Sequence, residues 1–250
     1  MGIDRRGMLM GTMALGMFPA AARAQTQPAP QKTQAEIWEE ARQKQLKEDW
    51  PWLGRYAADN AKLLASGAKT NIVFIGDSIT EGWVGKRPGF FTPGRVGRGI
   101  SGQTTPQMVL RMMADVIALK PKAVHIMAGT NDIAGNTGVI TPAQTHDNLR
   151  MMAQLAKANG LQVLLASVPP ADHFPWRPGL EVVGPIREIN GWAQAYAKAN
   201  GMTYVDYTAA LATPEGAMKP GMAFDGVHPT EQGYDVMASV LEPILKARKL

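Results

Sequence analysis

Asn71-Ile72-Val73-Phe74-Ile75-Gly76 is the stretch from which the rest of the chain is read. Five residues, mostly apolar and rich in β-branched side chains, stop at a glycine. Such a run is too short for a helix and reads as a strand buried on both faces. Runs of the same kind recur at Ala123-Val124-His125-Ile126-Met127 and Val163-Leu164-Leu165-Ala166, with a weaker one at Thr203-Tyr204-Val205-Asp206. The intervening patterns predict helices over about 105–119, 142–159, 184–199 and 230–247, with Gly160 and Gly201 closing two of them. Upstream, Ala35–Trp50 and Arg55–Ala65 also read as helical, separated by the break at Pro51. Strands alternating with helices argue for an α/β domain with a parallel sheet and helices on both faces. No internal repeat and no second core are visible.

Composition narrows the chemistry. Of 250 residues, 45% are hydrophobic and 19% charged, which describes a folded chain. Cysteine is absent, so disulfide frameworks, zinc–thiolate sites, iron–sulfur clusters and thiol nucleophiles are excluded. The four histidines, at 125, 146, 173 and 228, are too far apart for a His-x-x-x-His metal pair. The formal charge is +5, but the basic residues are scattered, so no nucleic-acid partner is expected.

The first residues read as an export signal. Arg5-Arg6 precedes an apolar stretch to Ala22, and Ala22-Arg23-Ala24 places small residues at a signal-peptidase site. Residues 1–24 are therefore expected to be a signal peptide, cleaved after Ala24. The stretch from Gly7 to Ala22 holds three glycines and a proline and is short for a bilayer span, so no permanent membrane anchor is expected. The arginine pair resembles a twin-arginine signal, although ordinary secretory signals also carry such pairs. Cleavage leaves 23 basic and 20 acidic residues in a periplasmic or secreted protein. Residues 25–70 are expected to be a linker and helices packed on the domain formed by 71–250.

In a parallel sheet, sites form beyond the carboxyl ends of the strands, and four unusual blocks fall there. Gly76-Asp77-Ser78-Ile79-Thr80 follows the first strand; Ser78 is either a helix cap or a hydroxyl displayed at the sheet edge. Gly97-Arg98-Gly99-Ile100-Ser101-Gly102-Gln103-Thr104 is a glycine-rich loop opening a helix, with the spacing of neither the P-loop nor the dinucleotide fingerprint. Its backbone N–H groups can instead face a developing oxyanion. Ala128-Gly129-Thr130-Asn131-Asp132 ends the next strand, where the Asn131 amide either closes a turn or donates to an anion. Asp225-Gly226-Val227-His228-Pro229-Thr230 precedes the last helix. An Asp three residues before a His can fix its tautomer and leave the opposite ring nitrogen as a base.

Together, in this order, the blocks resemble the SGNH hydrolases, also called the GDSL esterase and lipase family. The resemblance runs from about Asn71 to Ala247. It implies a flavodoxin-like three-layer α/β/α fold with a five-stranded parallel sheet, and a serine esterase needing neither metal nor organic cofactor. It further implies Ser78 as nucleophile, His228 as base and Asp225 as the acid that orients it. The backbone N–H groups of Ser78 and Gly102, with the Asn131 side chain, would make the oxyanion hole. Gly97 stands where many members have Asn. The α/β-hydrolase signature G-x-S-x-G is absent.

Expected substrates are lipid, lysophospholipid, aryl or acetylated sugar esters. The competing reading is a carbohydrate- or lipid-binding protein that keeps the fold without catalysis. Trp83 and the segment Ala171-Asp172-His173-Phe174-Pro175-Trp176-Arg177-Pro178-Gly179 either wall an acyl or sugar pocket or simply pack loops. His173 is set aside because no orienting carboxylate is evident in its segment. His125 reads as a satisfied core residue and His146 as a helix-surface one, while Asp77 and Asp132 read as structural hydrogen-bond acceptors.

Overall fold

A computed structural model describes residues 32–250. Residues 41–250 form one compact unit, and the described residues before them belong to a second. Thr33 begins the first helix, α1 (Gln34–Glu48), by exchanging backbone and side-chain hydrogen bonds with Glu36. The signal peptide and cleavage site expected from the sequence lie outside the described residues.

The larger unit carries five parallel strands: β1 (Ile72–Gly76), β2 (Arg95–Gly99), β3 (Ala123–Met127), β4 (Gln162–Ala166) and β5 (Thr203–Val205). Their order is β2-β1-β3-β4-β5, the flavodoxin-like arrangement. In register, Phe74 of β1 sits between Gly97 of β2 and His125 of β3. Helices α2 (Ala57–Ser66), α3 (Ser78–Lys86), α4 (Thr105–Arg111), α5 (Thr130–Ile133), α6 (Pro142–Ala158), α7 (Val183–Ala199), α8 (Tyr207–Leu211) and α9 (Glu231–Arg248) complete a three-layer α/β/α fold. Among the described residues, no helix is long and apolar enough to cross a membrane.

The anticipated strands at 71–75, 123–127, 163–166 and 203–206 are present within a residue or so. Gly160 and Gly201 follow α6 and α7 in the left-handed conformation, at φ +76° and +65°. Two expectations are corrected. The glycine-rich block is not all loop, because Arg95–Gly99 is the edge strand β2. The helix anticipated over 105–119 is regular only to Arg111, then widens into a π-turn over Met112–Val116 and tightens into a 3₁₀ turn ending at Leu119.

Glycine explains how α3 covers that edge strand. A Cβ on Gly99 would stand 2.2 Å from the backbone nitrogen of Glu81, so β2 and α3 approach this closely only with glycine there.

Trp83 occupies the core, which resolves its alternative readings against a pocket wall. Fully buried, it stacks on Phe90 at 4.6 Å and on Tyr234 of α9 at 5.8 Å, and meets Phe74 and Tyr207 edge-on. His125 lies on the same sheet face, bonded through Nε2 to the Tyr207 hydroxyl at 2.9 Å, but its Nδ1 has no partner among the described residues. Burial pushes its pKa down to about 3, so it is neutral in the native state. His146 is half-buried and stacked on Trp192 at 4.6 Å, not a free surface residue.

Trp83→Ala should cost about 3–5 kcal/mol of unfolding free energy, the range for an aromatic deleted from a packed core. Urea denaturation followed by circular dichroism measures this. A loss below about 1 kcal/mol would place Trp83 outside the cooperative core.

Candidate active site

Ser78 and Asn131 leave the sheet at the ends of β1 and β3, the adjacent strands where the strand order reverses. In this topology a crevice opens at that point. Ser78 is the first residue of α3, where backbone N–H groups have no carbonyl partner within the helix. Its Oγ lies 2.9 Å from His228 Nε2. His228 comes from the loop before α9, 150 residues away in sequence.

Asp225 holds that histidine at two points and its neighbour Val227 at a third. Its Oδ2 lies 2.7 Å from His228 Nδ1, and its Oδ1 accepts the backbone N–H of His228 at 2.7 Å and of Val227 at 3.0 Å. Partial burial alone would raise the Asp225 pKa, but the hydrogen bonds from His228 and Val227 outweigh it and hold the carboxyl below its ordinary value. With Nδ1–H committed to the carboxylate, the bare Nε2 faces the serine hydroxyl.

Asn131 is buried in α5 and donates through Nδ2 to the Gln103 carbonyl at 2.9 Å. Asn136, which the sequence reading did not single out, donates to Asn131 Oδ1 at 2.8 Å and also reaches the Gly102 carbonyl at 3.4 Å. These bonds bring Gly102 and Asn131 together and fix the amide's orientation. The only advance signal was an Asn in a glycine-rich turn five residues beyond Asn131.

The neighbouring aspartates differ in their partners. Asp132 accepts from the Thr105 backbone at 3.0 Å, from the Thr105 hydroxyl and from Thr145 Oγ1 at 3.2 Å, tying α5 to α4 and α6. Asp77 accepts from Ile79 N–H at 2.9 Å as the cap of α3. Burial drives its pKa up from 3.8 to about 6, against the pull of Ile79 N–H and of His228.

His173 requires a correction, since the carboxylate judged missing is its own neighbour. Asp172 Oδ1 lies 2.7 Å from His173 Nδ1.

Comparison with known proteins places this geometry in context. The model of the GDSL-like Lipase/Acylhydrolase family matches residues 74–236. A GDSL-like lipase from Bacteroides thetaiotaomicron VPI-5482 is 43% identical, with a TM-score of 0.75 over 80% of this chain and 100% of its own. A candidate acylhydrolase from Bacteroides fragilis NCTC 9343 is 41% identical, with a TM-score of 0.76 over 80% and 99% of the two chains. Esterase TesA of Pseudomonas aeruginosa is 28% identical over 197 residues, covering 74% of this chain and 92% of TesA.

Asp77 generates a test with a definite sign. Its native pKa is raised, so its contribution to stability is fullest below the unfolded value and is lost as pH rises through about 6. At pH 7 the buried charge costs about 3 kcal/mol, at 1.36 kcal/mol per pKa unit. Asp77→Asn keeps the acceptor for Ile79 N–H and removes the charge. It should be more stable than wild type at pH 7, with the gap closing by about pH 4 in urea denaturation. A gap that widens toward acid would show that the carboxylate is stabilised by its site.

Proposed function

Because the chain belongs to the GDSL-like lipase and acylhydrolase family, we propose that it is an exported serine esterase working through Ser78, His228 and Asp225. The observation that carries this reading is the continuous relay from Ser78 Oγ to His228 Nε2 at 2.9 Å and from His228 Nδ1 to Asp225 at 2.7 Å. A binding module needs no such relay.

The chemistry follows from the hydroxyl's weakness as a nucleophile at neutral pH. As Ser78 Oγ attacks the ester carbonyl, Nε2 of His228 takes its proton, and Asp225 stabilises the imidazolium that forms. Charge then gathers on the carbonyl oxygen. The backbone N–H groups of Ser78 and Gly102 and the second amide proton of Asn131 are the donors that would receive it. His228 next gives its proton to the departing alcohol, leaving an acyl group on Ser78. Water, activated by the same histidine, releases the acid and restores the serine.

Ser78→Ala should abolish both ester hydrolysis and covalent labelling by a fluorophosphonate. Asn131→Ala should keep the labelling site but lower kcat by about 10²–10³-fold. Turnover of p-nitrophenyl esters with mass spectrometry of the labelled peptide tests both. Labelling of a different serine with activity intact would overturn the assignment.

Export completes the proposal: residues 1–24 are removed, and the mature chain, with its hydrolase domain over 71–250, works outside the cytoplasm. N-terminal sequencing of protein recovered from the periplasm or medium should then begin at Gln25. Protein retaining Met1, found only in the cytoplasm or membrane, would remove this part of the reading.

A further inference from the structure

The surroundings of His228 carry a feature that proton transfer does not require. Phe224 is 64% exposed, yet its ring lies 5.6 Å from the His228 ring and within 19° of parallel. The Trp176 ring also approaches the imidazole, at 5.7 Å and tilted by 41°. Two large aromatic rings thus lie beside the one group that hands a proton to the departing alcohol, and the flexible Lys86 reaches over the Phe224 ring with its Nζ 5.3 Å from the centroid.

Both residues stand on anchored segments. Phe224 N–H donates to the His228 carbonyl at 3.1 Å, and Ala223 pairs with Pro229 in a short antiparallel bridge, so the loop closes upon itself. Trp176 stacks at 5.2 Å and 7° on Phe174, which is buried in the core. The two segments also meet directly, through His173. A Cβ on Gly226 would fall 2.7 Å from His173 Cε1, so the histidine ring rests where a side chain would otherwise be. Beyond Trp176 lies an open depression of about 490 Å³ lined by Ala134, Trp176, Arg177, Pro178, Gly179 and Leu180. Ala134, at the end of α5, supplies the part of its wall opposite this segment.

An exposed aromatic side chain beside a reacting centre is placed to meet a bound substrate. Its position assigns the part of the substrate it meets. The acyl carbon sits over Ser78 Oγ, whereas the alcohol oxygen must lie within reach of His228 Nε2 to receive its proton. Groups flanking His228 therefore meet the alcohol and not the acyl chain.

We infer that Phe224 and Trp176 form a leaving-group subsite selecting esters whose alcohol carries a ring able to lie face-on against an aromatic side chain. The inference rests on the esterase reading and adds the substrate class. Aromatic rings and sugar rings both present such a face, and Trp83, being core, contributes nothing to it.

The test holds the acyl group constant and varies the alcohol, using ethyl acetate, phenyl acetate and a mono-acetylated methyl glucoside with full-length mature protein. Phe224→Ala should lower kcat/KM for at least one ring acetate about five- to tenfold more than for ethyl acetate, the size of a lost stacking contact. The effect should appear mainly in KM. The arm that falls names the ring as aryl or sugar, and Phe224→Trp should retain the selectivity. A uniform factor across all three acetates would overturn the subsite. So would a changed acyl-length preference among ethyl acetate, butanoate and octanoate. Absence of turnover and of fluorophosphonate labelling in the unmodified protein would instead overturn the esterase reading, and the subsite with it.

Discussion

The structure depends on β1 being hydrogen-bonded along both edges and buried on both faces. Parallel pairing with β2 and β3 sends all three chain ends out at the same rim. The Ser78 turn, the glycine loop and the Asn131 turn therefore meet without any long connection reaching between them. Beyond the ladder, the Gly76 carbonyl accepts the Ile100 N–H at 3.0 Å, and Arg111 Nη2 approaches it at 3.4 Å. The turn that presents Ser78 is anchored before Ser78 is reached.

Arg111 shows what this anchoring demands. It is fully buried, pairs with Asp115 at 2.8 Å one turn along, and donates to the Arg98 carbonyl at 3.1 Å. Burial pulls its pKa below the ordinary arginine value, though Asp115 opposes this. Desolvating such a pair roughly cancels the attraction between its members, so its net contribution to stability is small. Its contribution lies in direction, because a planar donor bonded to two strand ends holds them in one spacing. The π-turn begins immediately after Arg111, and Asp115, the partner carboxylate, lies within it.

Legibility in the sequence followed burial. β1, β3 and β4 are covered on both sides and announce themselves as apolar runs, and the long helices carry their caps with them. β2 left no such trace. Arg95-Val96-Gly97-Arg98-Gly99 holds one strongly apolar side chain, since α3 lies so close that side chains are excluded: a Cβ on Gly97 would stand 2.2 Å from Val84 Cγ2. Its arginines bond to partners no local pattern reveals, Arg95 to Glu242 on α9 and the buried Arg98 to Asn60 on α2. That a strand beyond the four legible ones exists was expected from family resemblance, not from the residues of β2. The positions proposed for chemistry were visible because each sits at a strand end or before a helix. Asn136, Phe224 and the approach of Trp176 to His228 were not, for they arise where separate loops meet.

The two halves of the site reach their places by different routes, and this governs how firmly each is held. Ser78, Gly102 and Asn131 follow directly from β1, β2 and β3, so the sheet sets their spacing. His228 arrives on a loop from the far end of the chain and must be oriented locally. Asp225 does this with a three-residue turn in which one carboxylate binds two backbone N–H groups and the ring together. Thr230 then caps α9, its Oγ1 accepting the Gly233 N–H at 3.2 Å, and Tyr234 on the same helix donates to the Ile79 carbonyl of α3 at 2.8 Å. The helix that follows the histidine is thereby fastened to the helix that begins with the serine. That contact joins the two helices one residue beyond Ser78, so the separation of Ser78 and His228 is constrained by the helix packing and not only by the hydrogen bond between them.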